Sequence, residues 1–133
     1  MGIFKHKEDN SDLKQKDYSE IKWPEYVINL NEENFENFIK KYPFSLVDFW
    51  ASYCAPCKKM APRLRRLSKI YYKKIAFGKI DIQKYKDISK KYNIMGIPYL
   101  AVFSKGQKIS SFTGVKSVGD IKDELDKILR GEY

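Results

Sequence analysis

Phe35, Phe38, Ile39 and Tyr42 recur at i, i+3, i+4 and i+7, the spacing of a single helix face. Asn31 precedes this segment as its N-cap, with Glu32 and Glu33 in the first turn where acids suit the helix dipole. Tyr26 to Leu30 has the composition of a short strand. After the break at Pro43 and Ser45, Leu46 to Trp50 is a near-continuous apolar run, as expected of a strand buried on both faces of a parallel sheet. Helical spacing resumes from about Cys54 to Lys74, with Met60, Leu64, Leu67 and Tyr71 inward, and Pro62 inside this helix predicts a kink. Ile75 to Ile82 predicts a strand, Tyr85, Ile88 and Tyr92 a short helix, and Tyr99 to Phe103 another strand. Lys105-Gly106 is a turn signal before Ile109 to Thr113, which pairs back as a hairpin. Ser117 caps a last helix with the stripe Val118, Ile121, Leu125 and Ile128. The order β-α-β-α-β-α-β-β-α requires parallel pairing first and an antiparallel hairpin last, which gives an α/β fold: a central mixed five-stranded sheet flanked by four helices.

Residues 1–22 are polar, without a sustained period, and read as a flexible N-terminal extension; residues 23–133 form the domain. A chain of 133 residues, 43% of them hydrophobic, suits one core. The start of the chain lacks the apolar stretch of a signal peptide, so the expected location is cytoplasmic. Tyr92 to Ser104, the longest charge-free run at 13 residues, falls short of a membrane span.

The net charge of +9 is uneven. Residues 1–22 carry five Lys and five acids, whereas residues 58–91 carry 13 Lys or Arg against Asp81 and Asp87. Such a surface can attract nucleic acid or acidic proteins, or can be a solvated helix face with its cations set between core-spaced apolar residues. Lys outnumbers Arg by 22 to 4, which does not favour a dedicated nucleic-acid reader.

Both cysteines of the chain lie in Tyr53-Cys54-Ala55-Pro56-Cys57-Lys58, directly after the apolar strand. Thiols three residues apart at a helix start lie about 5 to 6 Å apart at Cα, within reach of a disulfide. A loop of roughly four residues stabilises a fold by only about 2 kcal/mol, so the pair's value is chemical. Half of a zinc site is the alternative, but the single histidine, His6, stands in the extension, and no metal is expected. Asp48 is the one charge in the buried strand, and desolvation should raise its pKa; Lys79 is its candidate ion-pair partner.

Val47-Asp48-Phe49-Trp50-Ala51 followed by Cys54-Ala55-Pro56-Cys57-Lys58 resembles the active-site signature of thioredoxins. Ala61-Pro62, Gly96-Ile97-Pro98 and Gly114 match the same family. The resemblance covers the chain from about Tyr26 and implies the thioredoxin fold. It also implies a Cys54–Cys57 redox disulfide, with Cys54 as nucleophile at a helix N-terminus, Cys57 as the more buried resolving thiol and Asp48 as proton-transfer group, Lys79 adjusting its charge. A thiol pKa near 7 is the known value for thioredoxins. Pro56 stiffens the dithiol, and Ala-Pro between the cysteines implies a potential nearer about −270 mV than the isomerase value of about −180 mV. Trp50, Tyr53, Ala55, Ile97, Pro98 in a cis peptide, and Gly114 become the substrate-docking residues.

The implied protein is a monomeric protein-disulfide reductase without a bound cofactor. Its electrons would come from a separate thioredoxin reductase, and its partners are that enzyme and disulfide-containing proteins, with no membrane and no nucleic acid. Two alternatives stay open: a disulfide isomerase or oxidase, and a binding module on the same fold that uses the basic surface. Tyr53, Ala55 and Tyr99 depart from the Trp, Gly and Thr usual in the family, and these departures bear on partner choice and redox poise.

Overall fold

The computed structural model describes residues 18–133. The elements follow the expected order: β1 (Ile28–Leu30), α1 (Phe35–Lys41), β2 (Ser45–Trp50), α2 (Ala55–Ile70), β3 (Ala76–Asp81), α3 (Lys86–Lys91), β4 (Tyr99–Ser104), β5 (Gln107–Thr113) and α4 (Val118–Leu129). The sheet order is β1-β3-β2-β4-β5. β3 pairs in parallel with both β1 and β2, while β4 runs antiparallel to β2 and β5. This is the mixed five-stranded sheet with four helices that the sequence implies.

Two-residue alternation divides the core into two layers. Along β2, Val47 and Phe49 enter a cluster with Phe35, Phe38 and Ile39 of α1 and Ile88 of α3. Leu46 enters the other, with Met60, Leu64 and Leu67 of α2 and Ile121, Leu125 and Ile128 of α4. The same parity puts Asp48 on the α2 side. In β3, Phe77 faces that side, and so by parity does Lys79, the register partner of Asp48. Gly78 faces the opposite layer, where a Cβ would stand 2.8 Å from Leu30 Cδ1, so any larger residue would force the Leu30 side chain to shift where β1 and α1 close over the sheet.

Element ends differ from the expected ones for local reasons. β1 starts at Ile28, because Tyr26 projects into solvent and is 69% exposed. Asn31 caps a turn rather than the first turn of α1. Its Oδ1 accepts the N–H of Glu33 and of Asn34, Asn34 Oδ1 accepts the Asn31 N–H, and regular helix begins only at Phe35. α2 stops at Ile70, where Tyr71 turns out of helical geometry and Lys73 adopts a φ of 68°, while Pro62 lies within the helix. The β4–β5 turn has positive φ at both Lys105 and Gly106, as a tight two-residue hairpin requires.

Residues 1–17 of the expected extension lie outside the described residues. Of its described part, Ile21 packs against the α1 layer, as does Trp23 at the start of the domain, whose ring lies 5.2 Å from that of Tyr42 at a tilt of 38°.

Candidate active site

The chain leaves β2 at Trp50, turns through Ala51-Ser52-Tyr53, and enters α2 with Cys54 as its N-cap. Cys54 keeps an extended backbone, and the backbone N–H of Cys57 donates to its sulfur at 3.2 Å. Pro56 occupies the first helical turn, where no N–H is required. Cys54 and Cys57 are joined by a disulfide with their Cα atoms 5.3 Å apart. Both are buried, Cys54 at 7% exposure against 3% for Cys57, while Tyr53, Ala55 and Pro56 between and beside them are exposed.

Beneath α2, Asp48 is 2% exposed and its Oδ1 has no hydrogen-bond partner among the described residues. Burial is the main influence on this carboxyl and lifts its pKa from 3.8 to about 7, opposed by the charge of Lys79. The candidate ion pair between Asp48 and Lys79 does not form. Lys79 Nζ sits instead over the Trp50 ring, 5.4 Å from its centroid, so a desolvated carboxylate is left with only a longer-range cation. Asp48 borders a cavity of about 140 Å³ that is also lined by Tyr26, Asn29, Leu64, Arg65 and Lys79.

Opposite the cysteines, the Ile97–Pro98 peptide is cis. Ile97 packs with Trp50, Ala51, Cys54 and Cys57 in one small cluster. The Pro98 carbonyl accepts the N–H of Gly114 at 2.8 Å, so the loop after β5 lies against the loop before β4. Cys54, Cys57, Trp50, Ile97, Pro98 and Gly114 therefore form one continuous locality. Tyr53 stands on its rim at 69% exposure. Tyr99, where the family has Thr, turns back toward the core layer, its ring 5.7 Å from Phe49, and its hydroxyl accepts from Lys108.

Three features of this rim are not apparent in the motif. Met95, two residues before Ile97, is 87% exposed, and Val115, next to Gly114, is 41% exposed. Met95 sits in the uncharged run before β4, which is the signal that was available for it. Arg63 Nη1 of α2 donates to the Lys116 carbonyl at 2.7 Å and ties the Gly114 loop to the cysteine helix; a contact across 53 residues leaves no local trace.

The family model for Thioredoxin matches residues 26–127. The chain belongs to the thioredoxin family. It is 37% identical over 105 residues to a thioredoxin of Buchnera aphidicola subsp. Schizaphis graminum, covering 78% of this chain and 97% of that one. A Staphylococcus aureus thioredoxin is 33% identical over 103 residues, 77% of this chain and 98% of the relative. Among solved structures, Plasmodium falciparum thioredoxin aligns with a TM-score of 0.71 at 28% identity, over 76% of this chain and 98% of the other. A mutant thioredoxin from Halobacterium salinarum gives 0.75 at 21% identity, over 80% and 94%, and supports the fold. As a thioredoxin-family protein the chain is a thiol–disulfide oxidoreductase, exchanging dithiol for disulfide through Cys54 and Cys57. Among the described residues no group of His, Cys, Asp and Glu is placed to hold a metal ion, and no helix is long and apolar enough to cross a membrane.

Proposed function

We propose that the two sulfurs have separate roles in reducing protein disulfides. Cys54 thiolate attacks one sulfur of a substrate disulfide, the substrate S–S bond breaks, and a mixed disulfide forms as the other substrate sulfur leaves as thiolate. Cys57, losing its proton, then attacks Cys54 Sγ. The Cys54–Cys57 disulfide closes and the substrate departs as a dithiol, having gained two electrons. The observation that carries this reading is Cys54 at the N-cap of α2 with the Cys57 N–H on its sulfur at 3.2 Å. There the helix dipole and free N–H groups favour a thiolate.

Asp48 takes the proton of Cys57. It lies on the sheet face that α2 covers, and a carboxyl with a pKa of about 7 holds and releases a proton near neutral pH. Its cavity gives the proton a way toward solvent. Lys79 modulates Asp48, and Pro56 stiffens the dithiol. Trp50, Tyr53, Ala55, Ile97, Pro98 and Gly114 receive an extended substrate segment, the Ile97 backbone pairing with it as a short added strand.

Electrons come from a thioredoxin reductase and the protein works as a cytoplasmic monomer. Residues 23–133 carry the activity, and the extension before them carries none of it. Reduction of insulin disulfides by the purified protein with dithiothreitol, lost in Cys54→Ser, tests the reading. Activity retained by that variant overturns it. A redox titration near −180 mV in place of about −270 mV would make the protein an isomerase instead.

A further inference from the structure

We propose that the exposed face of α2, continued by the Lys116 loop, is a docking surface for acidic polypeptide, so that this protein favours disulfides flanked by Asp or Glu. The proposal rests on the reductase reading and names the substrate class that reading leaves open.

The 16 residues of α2 include Lys58, Lys59, Arg63, Arg65, Arg66 and Lys69 and no acid. None of the six forms an ion pair with another described residue. The ion pairs among the described residues lie elsewhere: Glu36 with Lys40 and Lys91, Asp126 with Lys122, and Glu132 with Arg130. A merely solvated helix face would still obey the helix dipole, which favours acids in the first turn and cations in the last. α1 obeys it with Glu36 then Lys40 and Lys41, α4 with Asp120 then Lys127, and α3, although Lys86 opens it, with Asp87 then Lys90 and Lys91. In α2 the order is broken where the cysteines are: Lys58 and Lys59, both exposed, directly follow Cys57, and the first turn holds no acid.

Position selects the occupant. A molecule that presents a disulfide to Cys54 must lie along the start of this helix. Arg63 holds the Lys116 carbonyl at 2.7 Å, which brings a further cation-bearing loop to the same side. Tyr53, Met95 and Val115 expose apolar surface around the site, so the substrate meets an apolar centre and a cationic flank. During turnover the molecule in that place is a polypeptide, and the charge it complements is negative.

Two disulfide-bonded peptides that differ only in flanking Glu or Gln provide the test, each mixed with the reduced protein in stopped flow. The Glu peptide should react about tenfold faster at low ionic strength. The advantage should fall toward unity at about 0.5 M salt, where screening acts over a few ångströms, and should shrink severalfold in Lys58→Gln, Lys59→Gln. Comparing the two peptides on each protein cancels any change in Cys54 reactivity itself. Equal rates, a salt-independent preference, or a preference unchanged in the double variant would overturn the docking surface. If neither peptide is reduced, the reductase reading falls and the docking surface with it. Salt-sensitive retention of the Cys54→Ser, Cys57→Ser protein on duplex DNA, without a peptide preference, would assign these cations to nucleic acid and overturn the proposal.

Discussion

Asp48 and the cations of α2 belong to consecutive elements on either side of the cysteines in sequence, yet each carries charge at a different cost. Asp48 is nearly sealed from water, has no described hydrogen-bond partner on Oδ1, and escapes the cost of ionisation by holding its proton to about pH 7. The cations of α2, all exposed but the half-buried Arg63, face water and instead repel one another and, at Lys58 and Lys59, the positive end of the helix dipole. A buried charge that can be switched off suits proton transfer. Exposed charges that stay on suit attraction of a partner.

Substitution at the point between the two regions has the largest expected effect. Cys54→Ser should lower dithiothreitol-driven insulin reduction by at least about a thousandfold. Cys57→Ser should accumulate mixed disulfides, visible as adducts on non-reducing gels.

On the buried side, Asp48→Asn should slow resolution of the mixed disulfide by roughly ten- to a hundredfold at pH 7, while stabilising the fold. The sign follows from the raised pKa. Between 3.8 and about 7 the folded protein keeps a proton that the unfolded chain has released. Wild-type stability therefore falls as pH rises through this window and stays lowered above it. The Asn variant should gain up to about 4 kcal/mol above pH 7 and nothing near pH 4, as read by urea unfolding at both pH values. Parallel stability curves for the two proteins would show that burial does not hold the proton.

Lys79→Met sharpens the same contrast, because its charge is what opposes desolvation at Asp48. The inflection that Asp48 contributes to the pH–rate profile should move to higher pH, with little change in the maximal rate. On the exposed side, Arg63→Ala should raise KM for a neutral disulfide by about fivefold, the factor that about 1 kcal/mol of lost hydrogen bonding gives, with kcat unchanged. An equal fall in kcat would place Arg63 in the chemistry itself. Smallest of all, deleting residues 1–17 should change insulin reduction by less than about a third and the melting temperature by less than about two degrees.

The alternation of Leu46, Val47 and Phe49 and the helical stripes at Met60, Leu64 and Leu67 were legible in the chain, and they place every element of the fold to within a few residues. The cysteine spacing, Asp48 in its apolar strand, and Gly96-Ile97-Pro98 were likewise visible as motifs. Met95 was less so, since an apolar residue in an uncharged run reads equally as core. Nothing local announced the Arg63–Lys116 contact, or that Lys79 would place its ammonium over the Trp50 ring.

Periodicity and motif are properties of neighbours along the chain, and by themselves they determined the layer order, the helix that starts at Cys54 and the chemistry available to two thiols. Distances between residues far apart in sequence follow from how the layers pack. Only the tertiary structure decided that Asp48 Oδ1 would find no hydrogen-bond partner among the described residues, that Gly114 would meet Pro98, and that the cations of α2 would pair with no described acid. A side chain's solvation and its long-range neighbours are fixed when the sheet and helices close on one another, because burial and Coulomb interaction depend on distance in space.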